Sequence, residues 1–250
     1  MDHIAAPNGD GNAADRPHPG EFADTWLIVP CFNEATVIRG VLENALETFP
    51  NIVAVNDGSR DESAAEIHAA GAHLVNHPVN LGQGAAIQTG IEYARVQAGA
   101  EYFVTFDADG QHQVKDVVAM VRRLRTEPVD IVVGTRFGRP KSEDDQVPLI
   151  KRLVLRTVVM LSPRTRRLGL TDAHNGLRVF NRRVAEDLNL RMNGMSHASE
   201  FVELMDANGW RVAEEPVDIL YTEYSMSKGQ SLLNGINILS DGIVGRRLPR

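Results

Sequence analysis

The sequence contains a single cysteine, Cys31, in 250 residues. An intramolecular disulfide is therefore impossible, and so is a metal centre built from several thiolates. Cys31 closes an apolar run and reads as a small buried hydrophobe, and a reducing, cytoplasmic setting fits this usage. Basic charge is also scarce. The 26 Lys and Arg against 33 Asp and Glu leave a formal charge of −7, the opposite of the basic surface that general nucleic-acid binding needs. No stretch approaches the roughly 18 uninterrupted apolar residues of a membrane-spanning helix. Residues 1–24 are rich in Asp, Pro, Gly, Ala and Asn. They lack the apolar core of a secretory signal and are expected to form a disordered tail.

Hydrophobic content of 43% and charged content of 24% are those of an ordinary globular chain. Short β-rich runs alternate with helical patterns. "TWLIVP" (Thr25–Pro30), "NIVAVND" (Asn51–Asp57), "AHLVNH" (Ala72–His77), "YFVTFD" (Tyr102–Asp107) and "DIVVGTRF" (Asp130–Phe137) read as strands. Each is nearly all apolar, which implies burial on both faces and a mainly parallel sheet. Between them Ala35–Thr48, Ser63–Ala70, Gly84–Gln97 and Val114–Arg125 space their apolar residues by three and four, as helices do. Farther on, Leu149–Leu161, Ala198–Asn208 and Leu232–Val244 read as helices, and Asn175–Asn181 and Arg211–Thr222 as extended segments. The fold class is α/β, an open sheet flanked by helices. Such sheets bind ligands beyond the carboxyl ends of their strands, and that rim carries Asn33, Glu34, Asn56, Asp57, Ser59, Asp107, Asp109, Gln111 and Arg136.

The most informative stretch is "VTFDADGQHQ" (Val104–Gln113). If the strand continues through it, Asp107 and Asp109 point to one face. Two adjacent carboxylates repel unless a proton or cation lies between them. A hard divalent ion accepts one or two carboxylates plus substrate phosphates, and Gln111 can add a neutral oxygen or bind a metal water. The alternative is a turn with two solvated acids. "NLGQGAAIQTG" (Asn80–Gly90) has the glycine density of a dinucleotide loop without its spacing. It reads as a helix start packed close to the ligand rim.

Taken in order, "VPCFNE", "VNDGSRD", "NLGQGAAIQTG", "FDADGQH" and "VVGTRF", with "TDAHNGLRVF" and "EEPVDILYTEYSMSKGQS" downstream, resemble glycosyltransferase family 2. The closer likeness is to its polyprenyl-phosphate (dolichol-phosphate mannose synthase) branch. The resemblance implies a GT-A nucleotide-sugar fold over residues 25–225, with an amphipathic C-terminal segment over 226–250. It implies that Pro30, Phe32 and Glu34 line a nucleotide pocket and that Asp57 contacts the base or ribose. It assigns Mg²⁺ or Mn²⁺ to Asp107 and Asp109 with Gln111. Arg136 is then expected to meet a phosphate, Arg178 to seat an anionic acceptor, and Lys228 to close over the diphosphate. The implied partners are a UDP-, GDP- or dTDP-hexose donor and a polyprenyl phosphate or glycan acceptor. Departures from the usual pattern, Cys31–Phe32, Asn56 and Gln83, leave base and sugar open.

A phosphate acceptor is already anionic, whereas a sugar hydroxyl needs a base. Asp172 is the candidate base, with His174 second, and a turn cap is its alternative role. His112 and His197 read as hydrogen-bonded structural groups. Residues 146–170 and the final helix combine arginines and lysines with apolar residues at helical spacing. Such segments either sit on an anionic bilayer or pack on the core. The former places the protein at the cytoplasmic face of a membrane, with a membrane-protein partner as a further expectation. Two other readings compete: extension of a surface polysaccharide on a hydroxyl, and a catalytically silent nucleotide-sugar-binding scaffold.

Overall fold

A computed structural model describes residues 17–137, 163–172, 175–194 and 196–220. The strands β1 (Thr25–Cys31), β2 (Asn51–Asp57), β3 (His73–His77), β4 (Tyr102–Thr105), β5 (Ile131–Thr135), β6 (Arg178–Asn181) and β7 (Val212–Pro216) form one sheet in the order β3-β2-β1-β4-β6-β5-β7. All pairings are parallel except those of β6, which runs antiparallel between β4 and β5.

Strands β1, β2, β4 and β5 lie between two cores, which explains why their sequences are almost continuously apolar, whereas the edge strands β3 and β7 are only partly buried. Trp26, Ile28, Val53, Val55, Phe103 and Phe180 face one core, and Leu27, Val29, Ile52, Ala54, Val104 and Val179 face the other. Each buried Val, Leu or Ile side chain contributes about 1.5–3 kcal/mol. The helices α3 (Gln83–Arg95), α6 (Arg182–Asp187) and α7 (His197–Ala207) cover the first core, and α1 (Ile38–Leu46) and α4 (Val114–Thr126) cover the second. Helix α2 (Ser63–Ala70) adds Ile67 to the second core, and α5 (Pro163–Arg167) lies against α7. Helix α3 sits so close to β1 that a Cβ on Gly90 would come within 2.4 Å of Ile28 Cγ2.

Three expectations change. The end of the stretch assigned to the tail by composition is anchored: Phe22 is 1% exposed and meets the Phe49 ring, while Glu21 takes a two-pronged ion pair from Arg122. One buried aromatic and one fork outweigh a polar composition. Strand β4 stops at Thr105, two residues short of the acids. Of the basic run, Arg164 pairs with Glu203 of α7 and Arg167 pairs with Asp206, so these two cations are engaged within the fold. The expected helices Leu149–Leu161 and Leu232–Val244, together with His174 and Lys228, lie outside the described residues.

Candidate active site

The rim is built by loops that lock one another. After β1 the backbone turns through Asn33, whose φ of 55° is left-handed, a conformation asparagine tolerates better than most residues. Asn33 N donates to Ser59 Oγ and Asn33 Oδ1 accepts from Arg60 N, both at 2.9 Å. Glu34 N donates to the buried Ser63 Oγ at 2.9 Å, and Ala35 N to Asp61 Oδ2 at 3.1 Å. Burial pushes the Asp61 carboxyl up, but the Ser63 hydroxyl and the donating amides outweigh it and hold it below the usual value. Phe32 and Glu34 thus stand on a preset loop just beyond Pro30 of β1, with Phe32 exposed at the rim. Cys31 is buried, as its sequence context implied, and burial pushes its thiol up to about 12.

Asp57, 2% exposed at the end of β2, anchors the neighbouring loop. Its Oδ1 accepts from Leu81 N at 2.8 Å and from His77 Nδ1 at 2.7 Å, and its Oδ2 accepts from Gly82 N at 2.8 Å. Those bonds hold the 81–82 loop at the rim where a base or ribose contact is expected. Gly58 is required here: its φ is +68°, and a Cβ would lie 2.4 Å from the Val79 backbone.

The two acids lie in a turn beyond β4, so strand alternation does not orient them. Asp107 Oδ2 accepts from His112 Nε2 at 2.9 Å, and its Oδ1 accepts from Gln83 Nε2 at 3.2 Å. Burial pushes its carboxyl up, yet the His112 charge and hydrogen bond, with Arg178 beyond, leave it below the usual range. Asp109 takes the opposite course, raised by burial and by the Asp107 charge and lowered only in part by its bond from Gln111 N. Glu34 adds to the negative field at Asp109. A neighbouring groove of about 570 Å³ runs from α1 to this turn, lined by Val37, Val41, Phe106, Asp109, His112 and Leu220 among others. A repelling carboxylate pair of this kind fits a hard divalent cation that also takes phosphate oxygens. Among the described residues no cluster of three or more His, Cys, Asp or Glu could hold a metal ion by itself.

Arg136 and Asp172 come together as a fork. Arg136 Nε and Nη2 reach the two Asp172 oxygens at 2.6 and 2.7 Å, and Arg136 N adds a third bond at 3.1 Å. Glu214 fixes the other side by accepting from Thr171 N at 2.6 Å and Asp172 N at 3.0 Å. Asp172 is 2% exposed. Its geometry is that of an ion-pair anchor, and the Arg136 fork is directed at Asp172.

Arg178 differs. It is 1% exposed, with its guanidinium carbon 4.6 Å from the Phe201 ring centre. Nη1 donates to Gly176 O at 3.3 Å, while Nε and Nη2 have no hydrogen-bond partner among the described residues. Burial lowers its pKa to about 10 against the opposing pull of Asp107 and Asp172. His197 beside it is held neutral: burial first, then the Arg178 charge, lower it to about 4, and its Nδ1 bonds Gly194 O at 2.9 Å. His112 and His197 are thus both buried and hydrogen-bonded, in line with the structural reading. Sequence reasoning missed Ser63, His77, Gln83 and Glu200 as site-building residues, because the partners of each lie in other loops. The only sequence signal was the density of Ser, Asn, Gly and Asp after each strand.

Comparison with known proteins adds an independent line. The sequence pattern described as Glycosyl transferase family 2 matches residues 26–188. An uncharacterised protein of Methanocaldococcus jannaschii is 34% identical over 219 residues, covering 86% of this chain and 89% of that protein. The UDP-N-acetylglucosamine–dolichyl-phosphate N-acetylglucosaminyltransferase of Methanococcus voltae is 31% identical over 236 residues, covering 85% and 92%. Among solved structures, glucosyl-3-phosphoglycerate synthase from Mycobacterium tuberculosis, in complex with Mn²⁺ and UDP-glucose, superposes with a TM-score of 0.67. That match covers 88% of this chain and 76% of that one at 16% identity, a likeness of fold.

Proposed function

The chain belongs to glycosyl transferase family 2, and on that premise we propose that it moves a hexose from a nucleotide-sugar donor to the phosphate of a polyprenyl lipid, with inversion at the anomeric carbon. The observation that carries this reading is Arg178. A buried guanidinium with two nitrogens lacking a hydrogen-bond partner among the described residues is unfavourable, and an acceptor phosphate would satisfy both. Supporting this, the carboxylate considered as a base for a hydroxyl acceptor, Asp172, is bound to Arg136. A phosphate oxygen needs no such base. The names of relatives that act on dolichyl phosphate fit the same acceptor.

In this mechanism Asp107 and Asp109 would hold Mg²⁺ or Mn²⁺. The ion would supply charge neutralisation for the departing nucleoside diphosphate. The protein's own contribution is orientation. His112 and Gln83 fix the Asp107 rotamer, the loops at Asn33 and Gly58 shape the donor side, and Arg178 steers the incoming anion. Lys228 remains assigned to the diphosphate by family resemblance alone. No helix among the described residues is long and apolar enough to cross a membrane. Access to the lipid by peripheral contact at the cytoplasmic face is our reading of the basic, apolar segments of the sequence.

The experiment is calorimetric titration with UDP-, GDP- and dTDP-sugars in the presence of Mn²⁺. Incubation of the best donor, radiolabelled, with polyprenyl phosphate then follows. Label should enter the organic extract and fail to do so with Arg178→Met. Equal transfer by Arg178→Met would remove the phosphate-seating role, and binding without transfer to any acceptor would favour a silent scaffold.

A further inference from the structure

We propose that Glu200 is a positioning residue of this site, a buried brace that holds residues 190–194 against the loop 80–84 and thereby sets Gln83 against Asp107. The inference rests on the reading above that Asp107, whose rotamer Gln83 helps to fix, serves the donor diphosphate. A buried carboxylate beside a transfer site invites the role of general base, but the geometry points elsewhere. Glu200 lies in the first turn of α7 and is 8% exposed. Its Oε1 accepts from Arg191 N at 2.9 Å, and its Oε2 accepts from Arg191 N at 3.0 Å and from Met192 N at 2.9 Å. Both oxygens are aimed at backbone amides, and charge-assisted bonds of this kind are stronger than neutral ones.

The braced segment has no helix or strand of its own. Besides Glu200, Gln88 Oε1 on α3 ties it down by accepting from Leu190 N at 2.9 Å. What it presses upon is specific. Asn193 O accepts from Gly84 N at 2.7 Å. A Cβ on Gly84 would come 2.0 Å from Met192 O, and one on Gly82 would come 2.3 Å from Asn193 O, with Gly82 at a φ of +99°. Only glycine admits that backbone contact. Gly82 N is held from the other side by Asp57 Oδ2, and the residue between the two glycines, Gln83, bonds Asp107 Oδ1. The path from Glu200 to the acid pair therefore consists of backbone contacts and hydrogen bonds with no flexible side chain until Gln83. Loss of the carboxylate frees two amides, and the segment that closes over Gly82 and Gly84 loses its fixed position.

The test uses the full chain with Glu200→Gln, Glu200→Ala and, for the second tie, Gln88→Ala. Amide hydrogen exchange comes first, because it needs no donor. Exchange at Arg191 and Met192 should accelerate in Glu200→Ala, and so should exchange at Gly82–Gly84. With a donor that binds the wild type, donor KM should rise about tenfold in Glu200→Ala, the scale of one lost charge-assisted hydrogen bond. It should rise less in Glu200→Gln and Gln88→Ala, with kcat changed less than KM and the pH–rate profile keeping its shape. Unchanged exchange at Gly82–Gly84 would overturn the brace. So would a roughly 10²–10⁴-fold fall in kcat with donor affinity intact and one pH limb lost, the signature of a base. If no nucleotide sugar binds the wild type while exchange still accelerates, the proposed function fails and the brace stands. If Glu200→Ala does not fold, Gln88→Ala and Glu200→Gln decide by the same exchange readout.

Discussion

Replacing Asp172 with Asn separates an anchor from a base. The wild-type carboxylate is 2% exposed and holds the Arg136 fork at 2.6 and 2.7 Å. Removing one partner of a fully buried ion pair costs about 3–5 kcal/mol. The Arg136 side chain is 23% exposed, and Asn keeps one acceptor oxygen, so about 2 kcal/mol is the appropriate scale here. For a chain of this size that lowers Tm by about 4–8 °C. Differential scanning calorimetry measures it directly. Arg136→Gln should destabilise comparably, and the double variant should lose less than the sum of the singles, because contacting residues couple. Transfer to a lipid phosphate should weaken without vanishing. The reasoning fails if Tm is unchanged while turnover drops about 10³-fold with donor binding intact, since that is the loss expected of a general base.

Asp109→Asn should raise the Tm of the metal-free protein at neutral pH while abolishing transfer. Burial and the Asp107 charge raise the Asp109 pKa in the fold, so the stability present below its unfolded value is lost as pH rises through the folded one. Asn removes that loss, and unchanged Tm would contradict it. His197, lowered to about 4 from 6.5, works the other way: its stabilisation is complete above about 6.5 and is lost as pH falls toward 4. His197→Asn should flatten that limb of a Tm-against-pH curve, and an unchanged slope between pH 7 and 4 would refute the assignment. Gly176→Ala places a Cβ 2.5 Å from Asp107 Oδ2. Displacement of a catalytic group by about 1 Å costs on the order of 10²-fold, so turnover with saturating Mn²⁺ should fall by that order. Wild-type kinetics would show that Asp107 is not where the chemistry occurs.

The parts of this molecule that could be read from the sequence are those governed by periodicity. β1, β2 and β5 declare themselves because both faces are buried, and a chain such as Trp26–Val29 feeds two cores alternately. The insertion of β6 antiparallel between β4 and β5 was not legible, since nothing local in "RVFN" specifies direction. The rim residues were legible as a set, from polar groups placed after apolar runs, but their roles were not. That Asp57 also anchors a loop emerges only from Leu81 and Gly82, 24 and 25 residues away, which donate to it. That Asp172 is held in an ion pair emerges only from Arg136, 36 residues earlier, which closes on it. Glu200 offers no signal, because its partners are backbone amides of an irregular segment. Phe22 shows the converse error: composition marks its neighbourhood as a tail, and one ring against Phe49 is enough to pack it.

The most direct test of the whole account is the identity of the product. Purified protein, Mn²⁺, a ¹³C-labelled nucleotide sugar and polyprenyl phosphate should yield a lipid in which NMR shows the sugar joined through a single phosphate, with anomeric configuration opposite to the donor's. A product with the sugar on a hydroxyl oxygen, or with the donor's anomeric configuration retained, would contradict it.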